Sequence, residues 1–157
     1  MKILVARCAA LNDPHGRLEE RVSQFLQRNG FKVQPLHLPP LHPPDELIAL
    51  TSYRLLPIAD MADVLLCLDL PSAVLKLPRK LVWIHDGVAA GDAVPTFPFA
   101  ANVVRAGVKE ASAFFAPKGQ SKQLRALGLT GAKELDADPG RSSKIPAWAP
   151  VLDALRS

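Results

Sequence analysis

Short aliphatic runs recur along this chain, and they restrict what it can fold into more than any other feature. The clearest are KILVARC at 2–8, ADVLLCLD at 62–69, KLVWIHD at 80–86 and SAFFAP at 112–117. They have no helical period, and such runs are typical of strands buried on both faces of a parallel sheet. FKVQPLHL at 31–38 has strand-like apolar content, and the sequence predicts a weaker last strand at AKEL, 132–135.

Segments with helical periodicity separate the strand patterns. The segment 15–29 places apolar residues on one helical face, and Asn29-Gly30 supplies its end. Asp45 is predicted to cap the next helix. The further predicted helices are 99–110, 120–127 and 145–156, with a short turn-like or helical piece at 71–77. Strands and helices that alternate in this way predict a Rossmann-like, doubly wound, mainly parallel sheet of about six strands with helices on both faces.

The length of 157 residues and the apolar content of 48% fit a single domain with a filled core. We expect residues 1–139 to form it, with 140–157 as a linker and a closing helix packed on the same domain. Trp83 is predicted to lie in the core, and Trp148 to pin the last helix down.

Composition and the opening residues exclude several classes of protein. No uncharged run reaches the roughly 20 residues that span a bilayer, and the apolar start is too short for a signal peptide, so we expect a cytoplasmic chain. Cys8 and Cys67 fall in or beside core strands, which makes a disulfide or metal site unexpected. The formal charge of +4 is scattered, which argues against nucleic acid as a partner.

Local catalytic motifs are missing. The segment after the first strand, CAALNDPHGRLEE, matches neither the dinucleotide fingerprint nor the Walker phosphate loop. The chain also has no Gly-x-Ser-x-Gly, Cys-x-x-Cys or His-Glu-x-x-His pattern. The sequence therefore predicts no bound cofactor and argues against dehydrogenases, nucleotide triphosphatases, hydrolases and metalloenzymes.

Candidate site residues follow from topology, because ligands of open α/β sheets bind beyond the carboxyl ends of the strands. His85 can bind a sugar hydroxyl or assist proton transfer near neutral pH. The alternative reading of the pair His85 and Asp86 is a helix-capping Asp beside a hydrogen-bonded His. His37 and His42 flank a proline-rich loop and are expected to be surface or packing residues. The full candidate set is Asn12, Asp13, His15, Gly16, Asp69, His85 and Asp86.

Two stretches resemble the amino-terminal half of GT-B glycosyltransferases of the family 4-like type. In TSYRLLPIADMADVLLCLDLPSAVLKLPRKLVWIHD, at 51–86, a YRLL helix, an ADV strand, a Pro-containing turn and an RK-x-VW-x-H strand occur in the order of that family. SAFFAPKGQSKQLRALGLTGAKELDADPG, at 112–140, is similar to the family's next strand, turn, helix and strand. The resemblance covers roughly residues 1–139.

The resemblance implies a domain that shapes the acceptor site, with His85 near acceptor and sugar and the loop 13–16 facing the diphosphate. It implies a nucleotide-sugar or glycan acceptor as ligand and a second GT-B domain, supplied by a partner protein, for hexosyl transfer. A non-catalytic protein-interaction module, docking through the old active-site face or the loop 39–44, is the alternative. A nucleotide-binding or response-regulator-like domain with Asp69 as an acidic site is a third reading.

Overall fold

The computed structural model describes residues 1–8, 18–42, 44–84, 98–135 and 145–157. The strands are β1 (Lys2–Cys8), β2 (Lys32–Leu38), β3 (Val64–Cys67), β4 (Lys80–Trp83), β5 (Ala113–Pro117) and β6 (Lys133–Leu135). The helices are α1 (Leu18–Arg28), α2 (Glu46–Arg54), a 3₁₀ helix (Pro71–Val74), α3 (Pro98–Lys109), α4 (Ser121–Ala126) and α5 (Ile145–Arg156).

All six strands form one parallel sheet in the order β2-β1-β3-β4-β5-β6. Alternate residues of each inner strand point to opposite faces. Leu4 and Ala6 of β1 pack in one apolar cluster, and Ile3 and Val5 pack in the other. The first cluster includes residues of α2, α3 and α4, and the second includes residues of α1 and α5. The predicted Rossmann-like α/β fold of six strands with helices on both faces is confirmed.

The two tryptophans lie where the sequence predicts. Trp83 is almost fully buried in the cluster under α1 and α5. Trp148 packs edge-on against it, with ring centroids 4.9 Å apart, and its ring also lies 4.5 Å from that of Phe25. Arg79 donates to the carbonyl oxygens of Ala154 and Leu155 in the last turn of α5. These contacts hold α5 on the sheet.

Pro35 lies inside β2, an edge strand. The amide of Lys32 donates to the carbonyl of Met1, so every second residue from Lys32 turns its backbone groups toward β1. Pro35 lies on the alternate set, which faces away from β1, and its missing N–H breaks no bond in the sheet. A proline at this position also blunts the edge against pairing with another chain.

Two local predictions have different outcomes. Gly30 has a φ of +88°, and the amide of Phe31 donates to the carbonyl of Leu26, so the predicted glycine end of α1 is confirmed. Asp45 occupies the position before α2, but its side chain makes no capping hydrogen bond. The expectation that Asp45 caps α2 through its carboxylate is therefore wrong, because its backbone conformation (φ −86°, ψ 12°) is not the extended one that caps use.

Candidate binding site at the carboxyl ends of β1 and β3

The strand order indicates where a sheet of this type would bind a ligand. From β1 the chain crosses to β2 on one side, and from β3 it crosses to β4 on the other side. The connections that leave β1 and β3 therefore diverge, and such a switch point leaves a crevice at the carboxyl ends of the two strands.

Asp69 bridges this crevice. Its Oδ2 accepts a hydrogen bond from the amide of Cys8, the last residue of β1, at 2.8 Å. Its Oδ1 accepts from the amide of Ser72 at 2.9 Å, and the Ser72 hydroxyl donates to the Asp69 carbonyl at 3.0 Å. One carboxylate thus ties the end of β1 to the 3₁₀ helix that follows β3.

Burial raises the pKa of Asp69 from its usual 3.8 to about 6, because removing a carboxylate from water disfavours its charged form. The hydrogen bonds from Ser72 and Cys8 and the charge of Arg7 lower the pKa but do not cancel the effect of burial. A carboxyl with this pKa changes its charge in the mildly acidic range. Among the described residues, the amides of Cys8 and Ser72 occupy two of the roughly four acceptor positions of this carboxylate.

The wall on the α2 side of the crevice contains two neutral donors. The Cys8 thiol donates to the carbonyl of Pro39 at 3.0 Å, and the Tyr53 hydroxyl donates to the same oxygen. Burial is the main cause that raises the pKa of each group to about 12. Both raised pKa values favour the protonated forms at neutral pH, which disfavours the reactive thiolate of Cys8.

The wall on the α1 side contains an ion pair. Arg7 is 5% exposed, and its guanidinium donates to Oε2 of Glu19 at 3.0 Å. Nδ1 of His37, on β2, lies 3.3 Å from Oε1 of the same carboxylate. The His37 side chain is mostly exposed, in agreement with the surface role predicted for it.

Six of the seven predicted site residues lie outside the described residues: Asn12, Asp13, His15, Gly16, His85 and Asp86. Of the seven, only Asp69 is described, and it lies at the crevice. Four of these residues follow Cys8, the last residue of β1, in the sequence. The other two follow Ile84, the residue after β4.

Sequence reasoning missed several polar residues that organise the scaffold. Lys80 is 1% exposed, and its amine donates to the carbonyls of Ala73 and Leu75 at 2.7 and 3.1 Å and to Oε2 of Glu110 at 3.3 Å. Arg54 donates to the same Glu110 carboxylate and to the carbonyl of Val74. Burial lowers the pKa of Lys80, and the hydrogen bond from Arg54 lowers the pKa of Glu110.

A signal for these residues is present in the sequence. Tyr53 and Arg54 open the YRLL motif, and Lys80 belongs to the RK-x-VW motif. In the structure, these motif residues join α2, the 3₁₀ helix, α3 and β4. Their described side-chain hydrogen bonds go to backbone carbonyls and to Glu110, which is a structural role.

Metal and membrane searches concern the described ranges only. Within them, no three His, Cys, Asp or Glu side chains are grouped so that they could hold a metal ion. Cys8 and Cys67 are both free and buried. None of the helices in those ranges combines the length and the apolar character that crossing a bilayer needs.

The sequence matches no protein-family model and has no significant match among curated proteins.

Proposed function

We propose that this chain is a glycosyltransferase-like amino-terminal domain that binds a sugar acceptor or a nucleotide-sugar at the carboxyl ends of β1 and β3. The observation that carries the proposal is the switch point between β1 and β3, where the Asp69 carboxylate joins the end of β1 to the 3₁₀ helix after β3. A carboxylate accepts hydrogen bonds only, which suits it to the hydroxyl groups of a sugar.

The order of elements supports the same proposal. Within the stretch that resembles GT-B enzymes, Tyr53 and Arg54 end α2, Val64 begins β3, PSAV forms the 3₁₀ helix and Lys80 begins β4. Helix, strand, turn and strand thus follow one another as the resemblance implies. In this proposal His85 assists transfer near the acceptor, residues 13–16 face the diphosphate, and Asn12, Asp69 and Asp86 contact the sugar.

Hexosyl transfer by this domain requires a second domain or a partner protein. A departing diphosphate is stabilised by cationic groups in a site that excludes water. Among the described crevice residues, the cation is Arg7, and it is engaged by Glu19 in a buried pair. The partner would supply the cations and close the cleft. A cytoplasmic location belongs to the same proposal, since nucleotide-sugars are the expected ligands.

The test is a thermal-shift and calorimetric titration with UDP-, GDP- and ADP-sugars, the free nucleotides and simple acceptor glycans. A ligand that binds the native state at about 100 times its Kd adds about 2.7 kcal/mol to the free energy of unfolding, so Tm should rise by several degrees. We expect His85→Ala and Asp69→Asn to abolish the rise. Asp63→Asn, at the amino end of β3, should keep it.

Two results would contradict the proposal. The absence of a saturable shift with every ligand would remove sugar binding. Hexosyl transfer by the chain without any partner would remove the need for a second half.

A second candidate function is a non-catalytic protein-interaction module. The observation that favours it is the exposure of four large apolar side chains on and just after α2: Leu47, Ile48, Leu55 and Leu56. This surface lies on the helical layer rather than in the crevice, so the two candidates make different surfaces essential.

A further inference from the structure

Glu46, the first residue of α2, has a buried carboxylate oxygen without a partner. The residue is 6% exposed, and no donor in the described part of the chain makes a hydrogen bond to its Oε2. Arg7, Glu19 and Lys80 are comparably buried, and each has a partner of opposite charge. A carboxylate oxygen that leaves water without gaining a donor costs free energy on folding. The burial of Glu46 therefore requires an explanation.

The helix dipole does not supply that explanation. A carboxylate in the first turn of a helix is favourable when it is exposed to water. Asp45, directly before α2, is exposed and already places a negative charge at this end of the helix. Interaction with the dipole therefore gives no reason to bury the Glu46 carboxylate as well.

The fold places Glu46 at the carboxyl edge of the sheet. α2 leads from the carboxyl end of β2 to the amino end of β3, so its first turn lies at that edge. Glu46 is on the same buried face of α2 as Leu50 and Tyr53, which pack in the apolar cluster on that side of the sheet. Glu46 precedes Tyr53 by two turns, so it lies roughly 10 Å further toward the carboxyl edge.

This side of α2 borders Asp69. Burial is the main cause that raises the pKa of Tyr53, and the charge of Asp69 contributes to the same shift. Arg54 donates to the carbonyl of Val74, which ends the 3₁₀ helix that begins two residues after Asp69. α2 therefore flanks the switch point between β1 and β3, and Glu46 lies at the edge where sheets of this type bind their ligands.

The chemistry of Glu46 selects the kind of group that it can bind. An ionised carboxylate accepts hydrogen bonds and donates none, and it repels a phosphate. Asp69 is a second acidic group on this side of the sheet, which disfavours an anion further. A sugar hydroxyl is a neutral donor, so it can satisfy the carboxylate without bringing another charge into a buried position.

We propose that Glu46 is a second sugar-binding carboxylate of this chain, whose Oε2 accepts a hydrogen bond from a ring hydroxyl of the bound sugar. This inference rests on the proposed sugar binding at the carboxyl ends of β1 and β3, and it adds a residue and a ligand group to that proposal. Without the sugar, the buried carboxylate lowers the stability of the fold, and with the sugar it contributes affinity. Neutralising Glu46 should therefore raise stability and weaken binding, whereas a purely structural residue would lose both together.

The first measurement is the Tm of the chain without ligand. Glu46→Gln keeps the shape of the side chain and removes its charge, so Tm should rise by about 2 to 4 °C. Asp45→Asn removes a charge from the same end of α2 at an exposed position and should not raise Tm. A Tm of Glu46→Gln at or below that of Asp45→Asn would overturn the proposal, because the Glu46 carboxylate would then be satisfied without a sugar, for example by an ordered water.

The second measurement is calorimetric titration with UDP-glucose, GDP-mannose, ADP-glucose, methyl glucoside and methyl mannoside, and with free UDP, GDP and ADP. The sugar-containing probes that bind the wild type should bind Glu46→Gln at least about tenfold more weakly. Asp45→Asn should keep the wild-type affinity, and Glu46→Gln should bind the free nucleotides no more weakly than the wild type does. Monodeoxy sugars identify the hydroxyl, since removal of the one that Glu46 binds weakens binding to the wild type but not to Glu46→Gln.

The outcomes separate this inference from the proposed function. If a sugar binds the wild type, Asp69→Asn abolishes that binding and Glu46→Gln leaves it unchanged, sugar binding at the switch point stands and the role of Glu46 is overturned. If no sugar-containing probe binds the wild type, both proposals are overturned. Circular dichroism verifies that each variant is folded.

Discussion

The two ends of the β1–β3 pair have the same type of hydrogen bond, from a β1 amide to an aspartate carboxylate, in different surroundings. At the amino end, Oδ2 of Asp63 accepts from the amide of Lys2 at 2.7 Å, in an exposed position. At the carboxyl end, Oδ2 of Asp69 accepts from the amide of Cys8 at 2.8 Å, and burial raises the pKa of Asp69 to about 6. Strand pairing alone therefore does not explain why the pKa of the second carboxyl is raised.

The other charges in the sheet layer emphasise this contrast. Lys80, which begins β4, and Arg79 before it direct their cations at carbonyl oxygens of the 3₁₀ helix and of α5. Cations are favourable at the carbonyl ends of helices, so these contacts are explained by stability. At the carboxyl end a carboxylate is kept where its ionisation costs free energy, and such groups are concentrated in functional sites. The difference supports placing the binding site at the carboxyl end.

The largest effect is expected from Lys80→Met, which removes the amine but keeps much of the apolar stem. Two buried carbonyl oxygens would lose their donor, and Glu110 would lose one of its cations. We expect the free energy of unfolding in urea to fall by about 2 to 4 kcal/mol. Lys76→Met, at an exposed lysine, is the matched control and should change it by less than about 0.5 kcal/mol. Equal effects of the two substitutions would refute the structural role of Lys80.

The next effect is a pH dependence that belongs to Asp69. Its native pKa lies above its usual value, so the native state binds this proton more tightly than the unfolded chain does. The contribution of this proton to the free energy of unfolding is complete below pH 3.8 and is lost as the pH rises through about 6. The difference between the two pKa values of Asp69 corresponds to about 3 kcal/mol.

Urea unfolding from pH 4 to pH 7 measures this dependence. The wild-type curve should fall relative to that of Asp69→Asn, which does not titrate, whereas Asp63→Asn should keep the wild-type slope. Parallel curves for the wild type and Asp69→Asn would mean that folding does not raise the pKa of Asp69.

The smallest effect is expected from Asp63→Asn. The amide oxygen can still accept from Lys2, and water reaches this exposed position, so the free energy of unfolding at pH 7 should change by less than about 1 kcal/mol. Chemical denaturation of this variant sets the baseline for the amino end. A loss as large as that of Lys80→Met would remove the contrast between the two ends.

The sequence is informative about elements whose signals are local. Buried parallel strands appear as continuous aliphatic runs, and glycine marks the end of α1, so the architecture could be predicted. The convergence of Cys8 and Tyr53 on the Pro39 carbonyl could not be predicted. Cys8 lies 31 positions from Pro39 in the sequence, and Tyr53 lies 14 positions from it. The burial of Lys80 depends in the same way on carbonyls that tertiary packing brings to it. The position of Asp69 at the carboxyl end of β3 could be predicted, because a residue that follows a strand lies at that edge of a parallel sheet.

The most direct test of the site is an amide NMR titration of the uniformly labelled chain with the nucleotide-sugar or acceptor that gives the largest thermal shift. The amides of Cys8 and Ser72 donate to Asp69, whereas the amide of Lys2 donates to Asp63. We predict saturable shifts of the Cys8 and Ser72 resonances, with Lys2 unchanged, and their loss in Asp69→Asn. Shifts confined to Lys2 and the amino end, or no saturable shifts at Cys8 and Ser72, would contradict a binding site at the carboxyl ends of β1 and β3.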